Sequence, residues 1–406
     1  MKKTVMLLGG NYFQMTATLA AKALGCYVIS VDYLPDNPAH KYADEYHNVS
    51  TIDKEAVLKL AREKNIDGIV SYASDISAPT AAYVAEKMGL PTNPYESVMI
   101  LTHKDLFRKF MKENKLRMPE GSSFTRDQRE EARSFFGTLR LPVMVKPIDS
   151  SGSKGVVKVT DPSQFDAAYE EALSYSIEKH VIVEEFIEKT GYQIDGDGFI
   201  VDGKIAFFGV MDQRHDASCS MHTPAGLSCP SVQKQEYQDK ARAQIQHIFD
   251  LLHMKMGAFN FEYIIGQDKE VYILEIGPRN GGNLITDAIK VARDVDLAEY
   301  TIKIALGEDC SDLQEKPIHT CTSSYIVHAT KDGIYRGIEI DEKLRKHIVQ
   351  EALFVKPGDT VQKFRNAAFG IGAMVITFDS VEEMSEKVDH MNDYIKVIVE
   401  EPKTVS

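Results

Sequence analysis

The sequence predicts an α/β and α+β protein: a doubly wound parallel sheet first, mixed strands and helices after it. Three observations predict this. Short apolar strands alternate with helices up to Gly89. A hairpin of apolar strands, each with one carboxylate, lies in the middle of the chain. The last ~90 residues turn to short strands and one acidic helix.

The elements run in order. "TVMLLGG" is a strand, "QMTATLAAKALG" a helix closed by Gly25, and "YVISVDY" a second strand. "DKEAVLKLAREKN" is a helix, "IDGIVSYA" a third strand and "SAPTAAYVAEKMG" a third helix. Ligands of such sheets gather at the carboxyl ends of strands, where Gly10, Asn11, Asp32 and Asp75 fall. Asp32 also occupies the place of a dinucleotide ribose acid, although the G-x-G-x-x-G fingerprint is absent. Turn and capping roles stand beside ligand binding for these residues. "LTHKDLFRKFMKENKLRMPE" is a helix that opens the second unit. Residues 142–187 read as a small α+β unit, and 191–212 add strands. Residues 213–231 read as a long polar loop. A long helix, the hairpin and the helix "NLITDAIKVARDV" follow. The expected divisions are 1–100, 101–312 (with a lid unit at about 118–187) and 313–406.

Composition narrows the function. Hydrophobic residues make up 43%, enough for a sizeable core. A net charge of −13 argues against nucleic acid as partner. The N-terminal apolar run breaks at Gly9-Gly10, unlike a signal peptide. No apolar run approaches ~18 residues, so no membrane span is expected. Five cysteines without C-x-x-C fit a reducing cytoplasm. A homodimer is the commonest assembly.

The chemistry centres on "AFNFEYII" and "VYILEI" around the turn "GQDKE". Pairing outward from that turn sets Glu262 opposite Glu275, give or take one register step, with Asn260 on the same face. Like charges facing each other destabilise a sheet. Either the charges splay on an exposed face, or a hard divalent cation neutralises them. In "PVMVKPIDSSGSKGVVKV", Lys146 ends an apolar strand and calls for an anion. The loop after it is small and glycine-rich, so its N–H groups could approach phosphate, with Lys154 as a mobile charge. "VIVEEFIEK" is an ordinary strand end or an adenine-binding edge. In 213–231, Arg214 is a candidate for a substrate carboxylate; His215, Cys219, His222 and Cys229 make a zinc reading; a plain surface loop is the third.

Together, "THKDLF", "VMVKP", "SSGSKGV", "VEEFI", "FNFEY" and "LEIGPRNGG", in this order, resemble the ATP-grasp superfamily. The first sheet resembles the Rossmann-like domain preceding ATP-grasp in carboxylate–amine ligases and carbamoyl-phosphate synthases. Residues 354–401 resemble the C-terminal domain of L-amino-acid ligases. The resemblance implies ATP and Mg²⁺ (or Mn²⁺) as cofactors. Lys104 and Lys146 would hold phosphates. Ser151, Gly152, Ser153 and Gly155 would belong to the lid loop with Lys154. Glu184, Glu185, Phe186 and Ile187 would line the adenine site, and Glu262 and Glu275 would hold the metal. Arg279 would stabilise the transferring phosphoryl group. Arg214, Asn11 and Asp75 are the substrate candidates. The family usually has Asn two residues after the second metal glutamate; here it is Gly277, with Asn280 or Asn283 as replacements. Glu188, Asp195 and Asp197 are candidates for the ribose acid. The implied reaction joins a small-molecule carboxylate to an amine through an acyl phosphate. Carbamoyl-phosphate-synthase-like chemistry, formate activation and ATP binding without catalysis are the alternatives.

Overall fold

The computed structural model describes residues 2–150, 152–220 and 223–401. Thr4–Leu8, Tyr27–Val31 and Gly68–Ser71 form a parallel sheet, with the short strand Glu45–His47 added at one edge. Alternation sends Met6 and Leu8 to one face and Val5 and Leu7 to the other, and all four are buried. Helices Lys54–Lys64 and Ala78–Met88 cover the first face. Met15–Ala23 covers the second, together with Leu297–Ala305 from much later in the chain.

The centre is one antiparallel sheet of eight strands. Its order is Val271–Gly277, Gly257–Ile265, Ile194–Val201, Lys204–His215, Pro224–Cys229, Cys321–His328, Gly370–Phe378 and Ile348–Leu353. The ladder passes without a break from Pro224–Cys229 to Cys321–His328. Gly121–Thr125, His180–Glu185, Val143–Pro147 and Val157–Val159 form a small separate sheet backed by helix Phe165–Tyr175. A third small sheet joins Thr360–Val361, Gly333–Ile340 and Ile395–Glu400. Among the described residues, no helix is long and apolar enough to cross a membrane.

One sequence expectation fails. Residues 213–231 are not a long loop: strand Lys204–His215 runs into them, and Pro224–Cys229 lies inside the sheet. Strands flanked on both sides and both faces need no polar alternation, so a run of Ala, Gly, Leu, Ser and Cys can be fully interior.

Candidate functional site

The hairpin pairs Glu262 with Glu275, within the one register step that the turn position left open. The register then slips by one residue between Glu262 and Tyr263, leaving Leu274 as the bulged residue. On its other side Glu262 faces Asp195 of the neighbouring strand. Gln193 Nε2 donates to Glu262 Oε2 at 2.7 Å. Burial, with Asp195 and Glu275 close by, pushes the Glu262 carboxyl up to about 8. Two facing carboxylates with hard oxygen donors and one positive neighbour fit a divalent cation such as Mg²⁺. That neighbour is Lys104, whose Nζ lies 3.3 Å from Glu275 and donates to Ser150 O at 2.8 Å.

Lys104 and Arg108 share a face of helix Lys104–Glu113, four residues apart. Arg108 is 5% exposed; its Nε bonds Glu184 at 2.9 Å and its Nη1 donates to the bulged Leu274 O at 3.0 Å. Lys146 bonds the other Glu184 oxygen. Glu184 is therefore the buried anion between two cations, and its side chain does not face an open adenine site as expected. Burial alone would raise its pKa, but Arg108 and Lys146 override this and hold it at about 2. Arg108 was missed in the sequence, although its position one turn after Lys104 was readable.

The structure brings Arg279 and Asp75 together as an ion pair between the turn that follows strand Val271–Gly277 and the first sheet. Arg279 Nη1 also donates to Asn280 O at 3.2 Å, while Nε, like Asp75 Oδ1, is buried without a partner. A cleft of about 290 Å³ beside this pair is lined by Asp75, His103, Lys104, Asp149, Ser150 and Glu275. The ion pair accounts for Gly277. A Cβ there would lie 2.8 Å from Asp75 Oδ1 and 2.9 Å from Arg279 Cζ. The expected replacement Asn280 is fully buried and accepts from Thr301 Oγ1 at 2.8 Å, so it is spent in the core. Asn283 sits in the left-handed region at φ 54° just before helix Ile285–Arg293.

Asp197 clamps the same turn. Both its oxygens accept from Gly281 N, at 2.9 and 2.8 Å. Asn260 Nδ2 donates to Asp195 at 2.8 Å and to Asp197 at 3.1 Å. Burial pushes Asp195 to about 6 and Asp197 to about 7. These acids are buried around the turn, which takes Asp197 away from the expected ribose role.

The lid loop connects Val143–Pro147 to Val157–Val159. Gly152 has φ 67° and Gly155 φ 71°, which favour glycine. Gly152 O accepts from Ala367 N at 3.1 Å, so the loop meets a turn near the C-terminus. Ser150 Oγ donates to Lys154 O at 3.1 Å, and Lys154 is half-buried, as is Ser153. Ser151 lies outside the described residues. After Glu184, Glu185 N donates to Glu120 O and Phe186 N to Pro142 O, while the Lys158 ammonium sits 3.7 Å above the Phe186 ring. Ile187 is half-buried at the end of the strand, and Glu188 Oε2 accepts from Gln267 Nε2 at 2.7 Å.

Three expectations are corrected. Arg214 is 1% exposed; it bonds Asp389 at 3.0 Å and Ser228 at 2.9 Å and lies over the Tyr192 ring, so its donors are spent inside the fold and not on a substrate. Asn11 caps Tyr12–Gln14, accepting from Gln14 N, and Asp32 accepts from Leu34 N and Asn37 Nδ2; both do local turn work. The zinc quartet does not assemble as read: Cys229 is buried within its strand, and His222 lies outside the described residues.

Residues 103–313 match the family model "Carbamoyl-phosphate synthase L chain, ATP binding domain". The C-terminal section of the carbamoyl phosphate synthase large chain of Aquifex aeolicus is 25% identical over 77% of this chain, which spans 60% of that protein. A formate-dependent phosphoribosylglycinamide formyltransferase of Parasynechococcus marenigrum is 29% identical over 87% of this chain and 89% of its own length. The crystal structure of L-amino acid ligase from Bacillus licheniformis superposes with a TM-score of 0.82 at 18% identity, covering 98% of this chain and 99% of that one. The chain belongs to the family of the carbamoyl-phosphate synthase ATP-binding domain, within the ATP-grasp superfamily of carboxylate–amine ligases.

Proposed function

We propose that this protein is an ATP- and Mg²⁺-dependent ligase that joins a small-molecule carboxylate to an amine, releasing ADP and phosphate. The observation that carries this is the Glu262–Glu275 pair with Lys104 3.3 Å from Glu275. Bound MgATP supplies the phosphoryl group that turns a poorly electrophilic carboxylate into an acyl phosphate. Lys104 and Lys146 are placed to hold anionic oxygens. Glu184 keeps Lys146 and Arg108 in position. Arg279, paired with Asp75 at the wall of the cleft, would supply a guanidinium where charge develops. The Gly152–Gly155 loop is shaped to close over the site and exclude water, which a hydrolysable acyl phosphate requires.

Activation of formate is a second reading, supported by the coverage of the formate-dependent relative along most of both chains. The division of the chain near 100 and 313, a cytoplasmic location and small-molecule partners belong to the same reading.

ADP release with ATP and Mg²⁺, measured against pooled carboxylates (formate included) and pooled amines, tests it. Glu275→Gln should lose Mg²⁺-dependent turnover while keeping the circular dichroism of the wild type. Near-native turnover in that variant would sink the metal assignment. Turnover without any amine would favour simple carboxylate activation.

A further inference from the structure

A second group of metal-type donors lies on the central sheet, away from the hairpin. Asp216 and Cys219 occupy the turn after strand Lys204–His215, and His328 ends strand Cys321–His328. One ligand atom from each lies within 4.8 Å of the other two. We propose that Asp216, Cys219 and His328 form a site for one zinc-class divalent cation, with solvent as the fourth ligand.

The arrangement around the three donors supports this. His328 Nδ1 is 2.7 Å from Ile326 O. A carbonyl can only accept, so the proton sits on Nδ1, and Nε2 faces Asp216 Oδ2 at 2.8 Å. An imidazole tied through Nδ1–H to a backbone carbonyl, with Nε2 turned to a carboxylate and a thiol, is the pattern that orients metal-ligating histidines. The Phe364 ring stacks on the imidazole at 4.5 Å. Asn392 Nδ2 donates to Asp216 Oδ2 at 2.5 Å, and the Tyr325 hydroxyl donates to Asn392 Oδ1 at 3.3 Å. Ser218 donates twice to Asp216 Oδ1, from its N–H at 2.8 Å and its hydroxyl at 2.7 Å. The ligands are thus held by outer partners.

Tetrahedral zinc sets its ligand atoms roughly 3.4 Å apart. Asp216 and His328, 2.8 Å apart, would have to open slightly, with Cys219 already inside 4.8 Å of both. Cys219 is half-buried, and that side gives the cation an entry path. The Cys219 thiol proton and the Nε2 proton of the His328 imidazolium both pass to solvent as the cation binds. A thiolate and an imidazole suit a softer cation than the all-oxygen hairpin acids do. The bound cation would staple the turn to strand Cys321–His328 and, through Asn392, to helix Met391–Tyr394. Without a cation, the same residues make an ion pair beside a thiol.

The two cases separate in one experiment on the full-length chain. The protein is stripped with chelator, placed in excess MgCl₂ to fill the hairpin acids, and loaded with CoCl₂ or ZnCl₂. The expected result is one cobalt per chain with thiolate-to-cobalt charge-transfer absorption. Zinc should be retained through desalting, and the melting temperature should rise with zinc. Cys219→Ser should lose the charge-transfer band and weaken zinc retention at least about 100-fold. Asp216→Asn should weaken it as well, and Glu275→Gln should leave both readouts intact. No charge-transfer band in the wild type, or equal zinc retention in Cys219→Ser, would overturn the proposal.

Discussion

Glu184 is the best place to measure what the site costs the fold. Its carboxylate is 1% exposed and bridges Arg108 and Lys146. Its pKa falls from 4.5 to about 2, which corresponds to about 3.4 kcal/mol of preference for the charged form. Removing one partner of a buried pair costs ~3–5 kcal/mol by an independent scale. Glu184→Gln keeps the shape but strands two cations. Lys146, the more exposed of the two, can turn to water, whereas Arg108 cannot. The lower end, about 3 kcal/mol, is therefore expected. Amides of Val143–Pro147 and His180–Glu185 should exchange with solvent about two orders of magnitude faster in the variant. The pH dependence follows the sign of the shift. A depressed carboxylate stabilises fully above pH 4.5 and loses its contribution as pH falls toward about 2. The gap between wild type and variant should thus narrow on acidification. A gap under about 1 kcal/mol near neutral pH, or one that does not shrink in acid, would refute the reasoning.

Other perturbations follow from the same contacts. Gly152→Ala puts a Cβ 2.7 Å from that of Ala367 at a φ of 67°, so the KM for ATP should rise about tenfold with little change in global stability, which steady-state kinetics and a thermal melt would show. Arg214→Met leaves Asp212 and Asp389 without their cation and should cost ~3–5 kcal/mol in denaturant unfolding, with the ATP affinity of the folded fraction unchanged. The raised Glu262 carboxyl must lose its proton to bind a cation, so Mg²⁺ affinity should climb by up to about tenfold per pH unit until about pH 8 and then level. The sign for stability is opposite: the metal-free protein should lose stability as pH rises from 4.5 through about 8, and Mg²⁺ should restore it, as paired melts would reveal.

What could be read from sequence was what local rules control. The turn at 266–270 fixes the pairing to within one register step, so Glu262 near Glu275 was legible, whereas the bulge at Leu274, between the turn and the pair, which brings them directly opposite, was not. The alternating strands and helices of the first sheet were legible for the same reason. What was not legible depends on partners far along the chain. Glu184 meets Arg108 across 76 positions, Asp75 meets Arg279 across 204, and Asp216 meets His328 across 112. Residues 224–229 look like loop because small and polar residues suit turns, yet neighbours on both sides make them interior strand. Arg214 looks like a ligand residue for a similar reason: nothing nearby in sequence shows the Asp389 that consumes it.

The unbroken ladder from Pro224–Cys229 to Cys321–His328 bears on how this protein can be dissected. The family match ends at residue 313, which invites a shortened version carrying only the matched part. Such a truncation would strip a partner from every backbone donor and acceptor that strand 224–229 directs at 321–328. It would leave a raw edge in the middle of an apolar sheet, with Arg214 opened to solvent beside it. An uncovered edge of this kind recruits other chains. A fragment ending near 313 should therefore aggregate, and any dissection of this molecule is better made by point substitution than by cutting.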